Sequence, residues 1–233
     1  MKSENSPLVI SLVNAAGGTG KTTSAHALSV AFAEYGKKTL LIDLDVKASL
    51  TFQLAHEGSR LSVTDYLLGT TLRDDALSAT PERFDFIGSD SRISSITDQN
   101  SLATLLENLP KQYDLIVLDH GSTFDPLLAM SLEITDLFLL PIFSRLHDLR
   151  GALQINALLK DQKRFLLHIG EQNEIAAKAD ALIAPLDVSI ELSDEFEIAA
   201  ATTLSVLTVR KDSAVAGSYR SAAYSILEIL GLD

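Results

Sequence analysis

The 233-residue chain contains no cysteine and no tryptophan, and only two methionines. The absence of cysteine excludes disulfides, thiolate metal sites and cysteine-ligated iron–sulfur clusters. Basic residues are also scarce, because 19 Lys and Arg stand against 31 Asp and Glu, a formal net charge of −12. An average surface of that sign repels nucleic acid and anionic lipid, so a site for either has to be a local basic patch.

Long apolar runs are missing as well, and none approaches the length of a membrane span. Residues 1–7 are polar and lack an apolar signal core, so we expect a short flexible leader on a cytoplasmic protein. With 46% hydrophobic and 21% charged residues, the composition is typical of a globular chain. We expect residues 1–233 to form one domain.

Apolar strand-like runs alternate with helical patterns throughout the sequence. This predicts an α/β fold, with a mainly parallel twisted sheet flanked by helices on both faces. The predicted strands cover residues 8–14, 39–44, 84–87, 115–119, 137–141, 165–169 and 205–209, with a further edge piece at 182–188. The predicted helices cover residues 21–35, 62–68, 98–108, 146–161 and 212–230, the last capped by Asp212-Ser213 and ended by Gly231.

The most informative motif follows the first predicted strand, where residues 14–23 read Asn-Ala-Ala-Gly-Gly-Thr-Gly-Lys-Thr-Thr. Backbone N–H groups of such a loop cradle phosphate oxygens, and the next helix points its positive end at them. Lys21 would reach the β- and γ-phosphates of a nucleotide, and Thr22 would bind Mg²⁺. The strict P-loop pattern fails at one position, since Ala15 stands where its first glycine would be. The predicted ATP-binding residues are Gly17, Gly18, Thr19, Gly20, Lys21, Thr22 and Thr23.

Two further motifs place acidic residues at the ends of strands. Residues 40–45 end with Asp43 and Asp45, which are two residues apart and therefore point to the same side. Residues 115–119 form an apolar run that closes on Asp119, the form of a Walker B strand, whose carboxylate holds Mg²⁺ directly or through water. Asp43 and Asp119 are the predicted metal-binding acids. The alternative for Asp43 and Asp45 is that they are strand-end acids facing water.

Together these motifs resemble the ParA/MinD family, the deviant-Walker partition and positioning ATPases. The family loop is typically Lys-Gly-Gly-x-Gly-Lys-Thr-Thr, and residues 17–23 match all of it after the first lysine. Residues 41–45 are similar to the family's second motif, and residues 134–141 to its later strand ending in proline. The tail around Ser213, Tyr219 and Tyr224 looks like its closing helix.

The resemblance implies a slow, partner-stimulated ATPase that uses Mg²⁺ and dimerises with ATP between the subunits. It implies a cargo such as a plasmid, a chromosome region or a protein organelle, and a ParB-like or adaptor partner protein. Lys21 and Asp45 would be the catalytic residues, with Asp45 positioning the attacking water. Thr22 would ligate the ion and Asp119 would support it. The alternative function is a weakly hydrolytic or non-hydrolytic module that recruits a partner when nucleotide is bound.

The family's signature lysine would fall at residue 16, where this chain has Ala16. In the family that ammonium crosses the dimer interface to the partner's nucleotide, as an arginine finger does elsewhere. Three alternatives stay open: another cation replaces it, hydrolysis is very slow, or the nucleotide acts purely as a switch. The candidate replacement cations are Arg145, Arg150 and Lys47; the alternative for the two arginines is that they are solvent-facing helix residues. Some carboxysome-positioning members also lack the lysine, and the chain is similar to them in this respect.

Other departures concern the surroundings of the loop and the choice of partners. His120 follows Asp119 in place of a Pro-containing turn, either as a structural residue or as a partner of a phosphate-bound water. Residues 189–191 align loosely with a family stretch that lies by the adenine. For non-specific DNA the candidate contacts are Arg210, Lys211 and Arg220, which the family analogy favours and the net charge opposes. The apolar but acidic C-terminus argues against membrane docking, and nucleoid association depends on DNA binding.

Overall fold

The structure is a computed structural model that describes residues 6–73, 77–110 and 112–232. The strands are β1 (Leu8–Leu12), β2 (Thr39–Asp43), β3 (Ser78–Ala79), β4 (Asp85–Ile87), β5 (Leu115–Asp119), β6 (Leu137–Ile142) and β7 (Arg164–His168). The helices are α1 (Lys21–Glu34), α2 (Ser49–Gln53), α3 (Val63–Leu67), α4 (Ser101–Glu107), α5 (Pro126–Ile134), α6 (Leu146–Asn156), α7 (Glu174–Asp180), α8 (Glu195–Ala200), α9 (Val206–Val209) and α10 (Ala214–Leu230).

These strands form one sheet in the order β3-β4-β2-β5-β1-β6-β7. Six of them run parallel, and the two-residue β3 pairs antiparallel with β4 at one edge. Parallel neighbours require crossover connections, and the helices supply them. The predicted mainly parallel α/β fold is confirmed.

Alternate residues of a central strand enter cores on opposite faces of the sheet. In β2, Leu41 packs in the core that holds α1 and α10, whereas Leu40 and Ile42 pack in the core that holds α3 and α4. A third core lies between β6 and the helices α6 and α7. Because both faces of these strands are buried, they read as continuous apolar runs in the sequence.

One predicted strand is wrong. In place of the predicted strand 205–209, residues 206–209 form the short helix α9, whose first turn is capped by the Ser205 hydroxyl accepting a hydrogen bond from the Leu207 N–H at 3.3 Å. The serine cap and the burial of Val206 and Leu207 override the strand preference of the β-branched residues. The predicted edge piece at 182–188 is a single parallel bridge from Pro185 to Leu166 of β7.

Both ends of the C-terminal helix agree with the prediction. The Ser213 hydroxyl accepts a hydrogen bond from the Ala216 N–H at 3.1 Å, and Gly231 ends α10 with φ of 70°. The predicted leader falls largely on residues 1–5, outside the described residues. In the described part of the chain no helix has the length and apolar character needed to cross a bilayer.

The topology brings the predicted site residues to one edge of the sheet. β5 lies between β1 and β2, and Asp119 pairs in register with Leu12 on one side and Asp43 on the other. The loop that follows β1 and the acids that end β2 and β5 therefore meet at the carboxyl ends of adjacent strands, where open α/β sheets bind ligands.

Candidate functional site

The loop between β1 and α1 depends on two glycines with left-handed backbones. Gly18 and Gly20 have φ of 68° and 86°, values that residues with a Cβ rarely adopt. Gly20 is also closely packed, since a Cβ there would lie 2.6 Å from Cδ1 of Ile169. This turn leads into α1, and the free N–H groups of the first turn of α1 face the loop.

Lys21 is the first residue of α1, and its side chain folds back over the loop. Its Nζ donates hydrogen bonds to the carbonyl oxygens of Asn14 and Ala16, both at 3.0 Å. Burial lowers the pKa of Lys21; Lys47 acts in the same direction, and the carboxylates of Asp119 and Asp45 oppose it. The sequence-predicted phosphate lysine thus lies within electrostatic reach of both predicted acids.

Asp119 is completely buried, and neither of its carboxylate oxygens receives a regular hydrogen bond from the described residues. Burial raises its pKa well above the usual range, and the nearby Asp43 adds to the shift. The Thr22 hydroxyl lies close enough to lower this pKa without forming a hydrogen bond of normal geometry. A buried carboxylate with free lone pairs, next to a threonine hydroxyl, is a donor set that fits Mg²⁺.

Asp43 is also buried, but its oxygens are already occupied. One accepts the N–H of Asp45 at 2.9 Å, and the other accepts the N–H and the hydroxyl of Thr51 at 3.0 and 2.7 Å. Burial raises the pKa of Asp43 to about 6 despite these bonds. Asp43 therefore shapes the turn that carries Asp45, whose carboxylate lies over Gly121: a Cβ there would be 2.9 Å from Asp45 Oδ1.

His120 is buried, and its Nε2 makes no hydrogen bond with any residue that the structure describes. Burial lowers the pKa of His120 to about 4, so the ring is neutral near pH 7 and cannot supply the missing positive charge. Ser122, two residues on, was not singled out by the sequence. Its Oγ would lie 3.7 Å from a Cβ on Gly17, so this hydroxyl faces the phosphate loop.

The three candidate replacement cations lie at different places. Arg145, which precedes α6, donates from Nη2 to the Gly18 carbonyl oxygen at 2.8 Å. Lys47 is exposed on the turn after Asp45, and its charge reaches Lys21. Arg150 is exposed on α6, beside a shallow groove lined by Leu146 and Leu153. Arg145 is the one of the three with a hydrogen bond to the loop.

Ala16 occupies the position of the family's signature lysine, and it is buried against α6. A Cβ on Gly151 would lie 2.8 Å from Cβ of Ala16 and 2.2 Å from Oδ1 of Asn14. The Asn14 side chain joins the two elements, since it accepts the Ala16 N–H at 2.8 Å and donates to the Pro141 and Asp148 carbonyls. Position 151 therefore has no room for a side chain while Ala16 and Asn14 keep their places.

A cavity of about 290 Å³ adjoins the loop at Gly20 and Thr23. Its walls are mainly apolar, with Phe143, Ile169 and Phe196 among them, and Gln53 and Glu197 also line it. Of the stretch aligned with the family's adenine region, Ile190 is buried beside Ile169 through a strand bridge. Residues 189–191 do not line the cavity itself, and the residues around Phe196 were not found by sequence reasoning.

The three candidate DNA contacts lie together around the start of α10, but one of them, Arg220, already forms an ion pair within the chain. Arg220 pairs with Glu34 of α1 at 2.6 Å and donates to the Lys211 carbonyl oxygen at 2.6 Å. Its charge is therefore partly neutralised within the chain. Arg210 and Lys211 are exposed.

Comparison with known proteins places the chain in a family. Residues 8–168, more than half of the sequence, match the family model described as an AAA domain. The chromosome-partitioning ATPase Soj of Thermus thermophilus is 29% identical over 158 residues, which cover 65% of this chain and 61% of that protein. The chain belongs to the ParA/MinD family of P-loop ATPases. It spans about half to three fifths of the length of the curated relatives it matches.

Solved structures of the ParA/MinD fold superpose over nearly the whole chain. The septum site-determining protein MinD of Pyrococcus horikoshii, complexed with Mg-ADP, has a TM-score of 0.83 at 21% identity and covers 97% of this chain and 98% of its own. A ParA family ATPase of Chlorobium tepidum has a TM-score of 0.82 at 20% identity, covering 95% and 99%. The predicted ligands ATP and Mg²⁺ agree with the Mg-ADP bound in that MinD structure.

Proposed function

We propose that the chain is a positioning ATPase that binds Mg-ATP at the loop 14–23 and uses it to gate assembly with its partners. The observation that carries the proposal is the Asp119 carboxylate, buried beside Lys21 without a hydrogen bond among the described residues. A bound Mg²⁺ would supply the positive charge that this carboxylate lacks. Membership of a family of ATPases supports the same reading.

Each predicted residue then has a role that its geometry supports. The N–H groups of residues 17–23 cradle the phosphates, and Lys21 leaves the Asn14 and Ala16 carbonyls to bind the β- and γ-phosphates. Thr22 and Asp119 hold the ion, while Asp43 holds the turn of Asp45 and meets the ion at most through water. Asp45 positions the attacking water. Phosphoryl transfer needs little more from a protein than such positioning and charge compensation.

The cavity next to Gly20 and Thr23 is the proposed place of the nucleobase. A flat ring would lie between the apolar side chains of Phe143, Ile169 and Phe196, an arrangement common in small-molecule sites. Gln53 and Glu197 are among the polar residues that line this cavity, and we propose that their side chains meet the polar edge of the base.

The rim of the site supports nucleotide-gated association. Val46, Phe124 and Leu146 are exposed apolar residues on the loops and the helix start around the phosphate site. If nucleotide binding brings them into one patch, they would form the apolar part of an interface. We propose that two chains associate through this rim when ATP is bound, in the cytoplasm, and that a partner protein and a cargo bind the assembly.

The experiment that tests this function uses Asp45→Ala, which should bind ATP without hydrolysing it. With Mg-ATP the variant should run as a dimer in size-exclusion chromatography with light scattering, and with Mg-ADP as a monomer. A matched change outside the site, Asp161→Ala, should retain wild-type turnover. A variant that binds no ATP, or whose mass is the same with both nucleotides, would contradict the proposal.

The alternative, a nucleotide-gated module without hydrolysis, is favoured by the burial of Ala16 in place of a mobile lysine. Phosphate release by the wild-type protein separates the two functions. Turnover that depends on Lys21 supports the ATPase, whereas binding and dimerisation without turnover supports the module.

A further inference from the structure

The guanidinium of Arg145 makes three hydrogen bonds, one to the phosphate loop and two to Asp148 of α6. Nη2 donates to the Gly18 carbonyl oxygen at 2.8 Å and to Asp148 Oδ1 at 3.0 Å, and Nε donates to Asp148 Oδ2 at 2.9 Å. The pair with Asp148 is bidentate, the geometry in which an arginine is most strongly oriented. Arg145 and Gly18 are 127 residues apart in sequence.

The partner carboxylate is itself fixed. Asp148 is completely buried, and its Oδ2 also accepts the N–H of Phe143 at 2.9 Å. The Phe143 ring lies under the guanidinium, with 4.8 Å between the guanidinium carbon and the ring centroid. The carboxylate on one side and the ring on the other hold Arg145 in place before any nucleotide binds.

We propose that Arg145 is a positioning residue for the phosphate loop of its own chain, holding the Gly18 carbonyl through a guanidinium that is paired with Asp148. The inference rests on the proposed function, because the loop is taken to bind phosphate. Gly18 has a left-handed backbone, and its carbonyl oxygen accepts the hydrogen bond from Arg145. The Gly18 carbonyl and the Thr19 N–H belong to one trans peptide and therefore point in opposite directions. Because the carbonyl is held toward Arg145, the Thr19 N–H points away from Arg145 and toward the rest of the loop.

The small residues at positions 16 and 151 are what bring Arg145 within reach. Because Gly151 has no side chain, α6 packs directly on Ala16, and the start of the helix lies against Gly18. Arg145 is thereby placed beside the Gly17-Gly18 part of the loop, with its charge balanced by Asp148.

A role across the dimer interface would require Arg145 to leave these contacts. The hydrogen bonds engage Nε and Nη2, so reaching a partner's phosphate would break the fork on Asp148. It would also leave a completely buried carboxylate without its cation, which is strongly unfavourable. The geometry therefore favours action within one chain.

The first test measures the loop without nucleotide. Hydrogen exchange of the amides of residues 15–20 should speed up in Arg145→Ala and stay at the wild-type rate in Arg60→Ala, a matched loss of an exposed arginine. Arg145→Lys should show an intermediate rate, since an ammonium can hold the carbonyl but not the bidentate pair. Unchanged exchange in Arg145→Ala would overturn the inference, and this arm does not depend on the proposed function.

The second test separates action in cis from action in trans. Affinity for a fluorescent ADP analogue, measured at low protein concentration, should weaken about tenfold or more in Arg145→Ala. Arg145→Ala is then mixed with Lys21→Ala and phosphate release is measured. In cis neither site of a mixed dimer is complete, so phosphate release by the mixture should not exceed the sum of its components at the same ATP concentration. Restored turnover on mixing, or wild-type affinity in Arg145→Ala, would overturn the inference.

Discussion

Among single residues, Asp119 lies where an ionised carboxylate is least stable. It is completely buried, it lies beside Asp43, and it makes no regular hydrogen bond within the described residues. Its pKa is therefore raised in the folded protein, so that the folded state binds this proton more tightly than the unfolded state. Stability from this source is present at low pH and is lost as the pH rises through the raised pKa.

Asp119→Asn should stabilise the nucleotide-free protein because it keeps the shape and removes the buried charge. We expect the free energy of unfolding at pH 8 to rise by about 1 kcal/mol or more, with a smaller gain at pH 5. Mg²⁺-dependent nucleotide binding should be lost. Urea unfolding at both pH values measures the effect, with the exposed Asp161→Asn as control. A variant less stable than the wild type at pH 8 would contradict this reading of Asp119.

A substitution at Gly151 tests how tightly α6 packs against the loop. In Gly151→Ala the new Cβ would lie 2.2 Å from Asn14 Oδ1 and 2.5 Å from the Ala16 nitrogen, so the loop backbone has to move. We expect a loss of about 1–3 kcal/mol in stability and weaker nucleotide binding. Gly217→Ala is the matched control, because a Cβ on that helical glycine meets nothing within 4 Å and should be neutral or stabilising. Equal behaviour of the two variants would show that the contact is not tight.

At the level of elements, Glu82 joins three segments that are distant in sequence. Its carboxylate accepts hydrogen bonds from His26 Nε2 of α1 at 2.5 Å, from the Ser205 N–H at 2.9 Å, and from the Thr208 hydroxyl of α9. Burial by itself would raise the pKa of Glu82, but the hydrogen bonds from these three groups outweigh it and hold the pKa below its usual value.

Glu82→Ala should leave two buried donors, the His26 ring and the Ser205 N–H, without an acceptor, and the exposed Thr208 hydroxyl without its partner. We expect it to cost about 3–5 kcal/mol near pH 7, a loss comparable to breaking a buried ion pair. Because the folded-state pKa is depressed, the contribution of Glu82 is present above its usual pKa of 4.5 and is lost as the pH falls below it. The difference between variant and wild type should therefore shrink in acid. Thermal unfolding at pH 7 and pH 4 measures this, and the exposed Glu133→Ala should lack both effects.

The cluster around Glu82 shows which features of the fold could not be predicted from the sequence. The parallel strands and the glycine loop could be predicted because their signals are local: continuous apolar runs, and glycines before Lys-Thr. The β-branched residues of α9 predict a strand by themselves. Its helical form depends on Ser205 and on Glu82, which is 123 residues away from Ser205 in sequence. Arg145 could be named as a cation from the family pattern, but its bond to Gly18 follows from the packing of Gly151 on Ala16, which no local pattern encodes.

For the whole molecule, the net charge of −12 opposes DNA binding, so any such binding depends on local basic residues. Arg210 and Lys211 are exposed, whereas Arg220 is paired with Glu34, so each chain presents a small basic patch. A dimer would double this patch. Because the affinity comes from neutralised phosphates, it should depend steeply on salt.

We expect ATP-dependent DNA retention at low salt that is lost by about 0.2 M. Charge reversal at Arg210 and Lys211 should abolish it, whereas reversal of the exposed Lys178 on α7 should leave it intact. Arg220 is unsuitable for this test because its reversal also breaks the pair with Glu34. Filter binding across a salt series measures retention. Retention that survives the double reversal would place the DNA contact elsewhere on the molecule.

The contact between Ala16 and Gly151 also limits the routes by which such a sequence can change. A side chain introduced at position 151 meets the loop at Asn14 and Ala16. A chain with this packing therefore keeps its loop in place only while position 151 is glycine. In relatives that share the packing we expect a glycine at the equivalent helix position, and where another residue stands there we expect the phosphate loop to lie further from that helix.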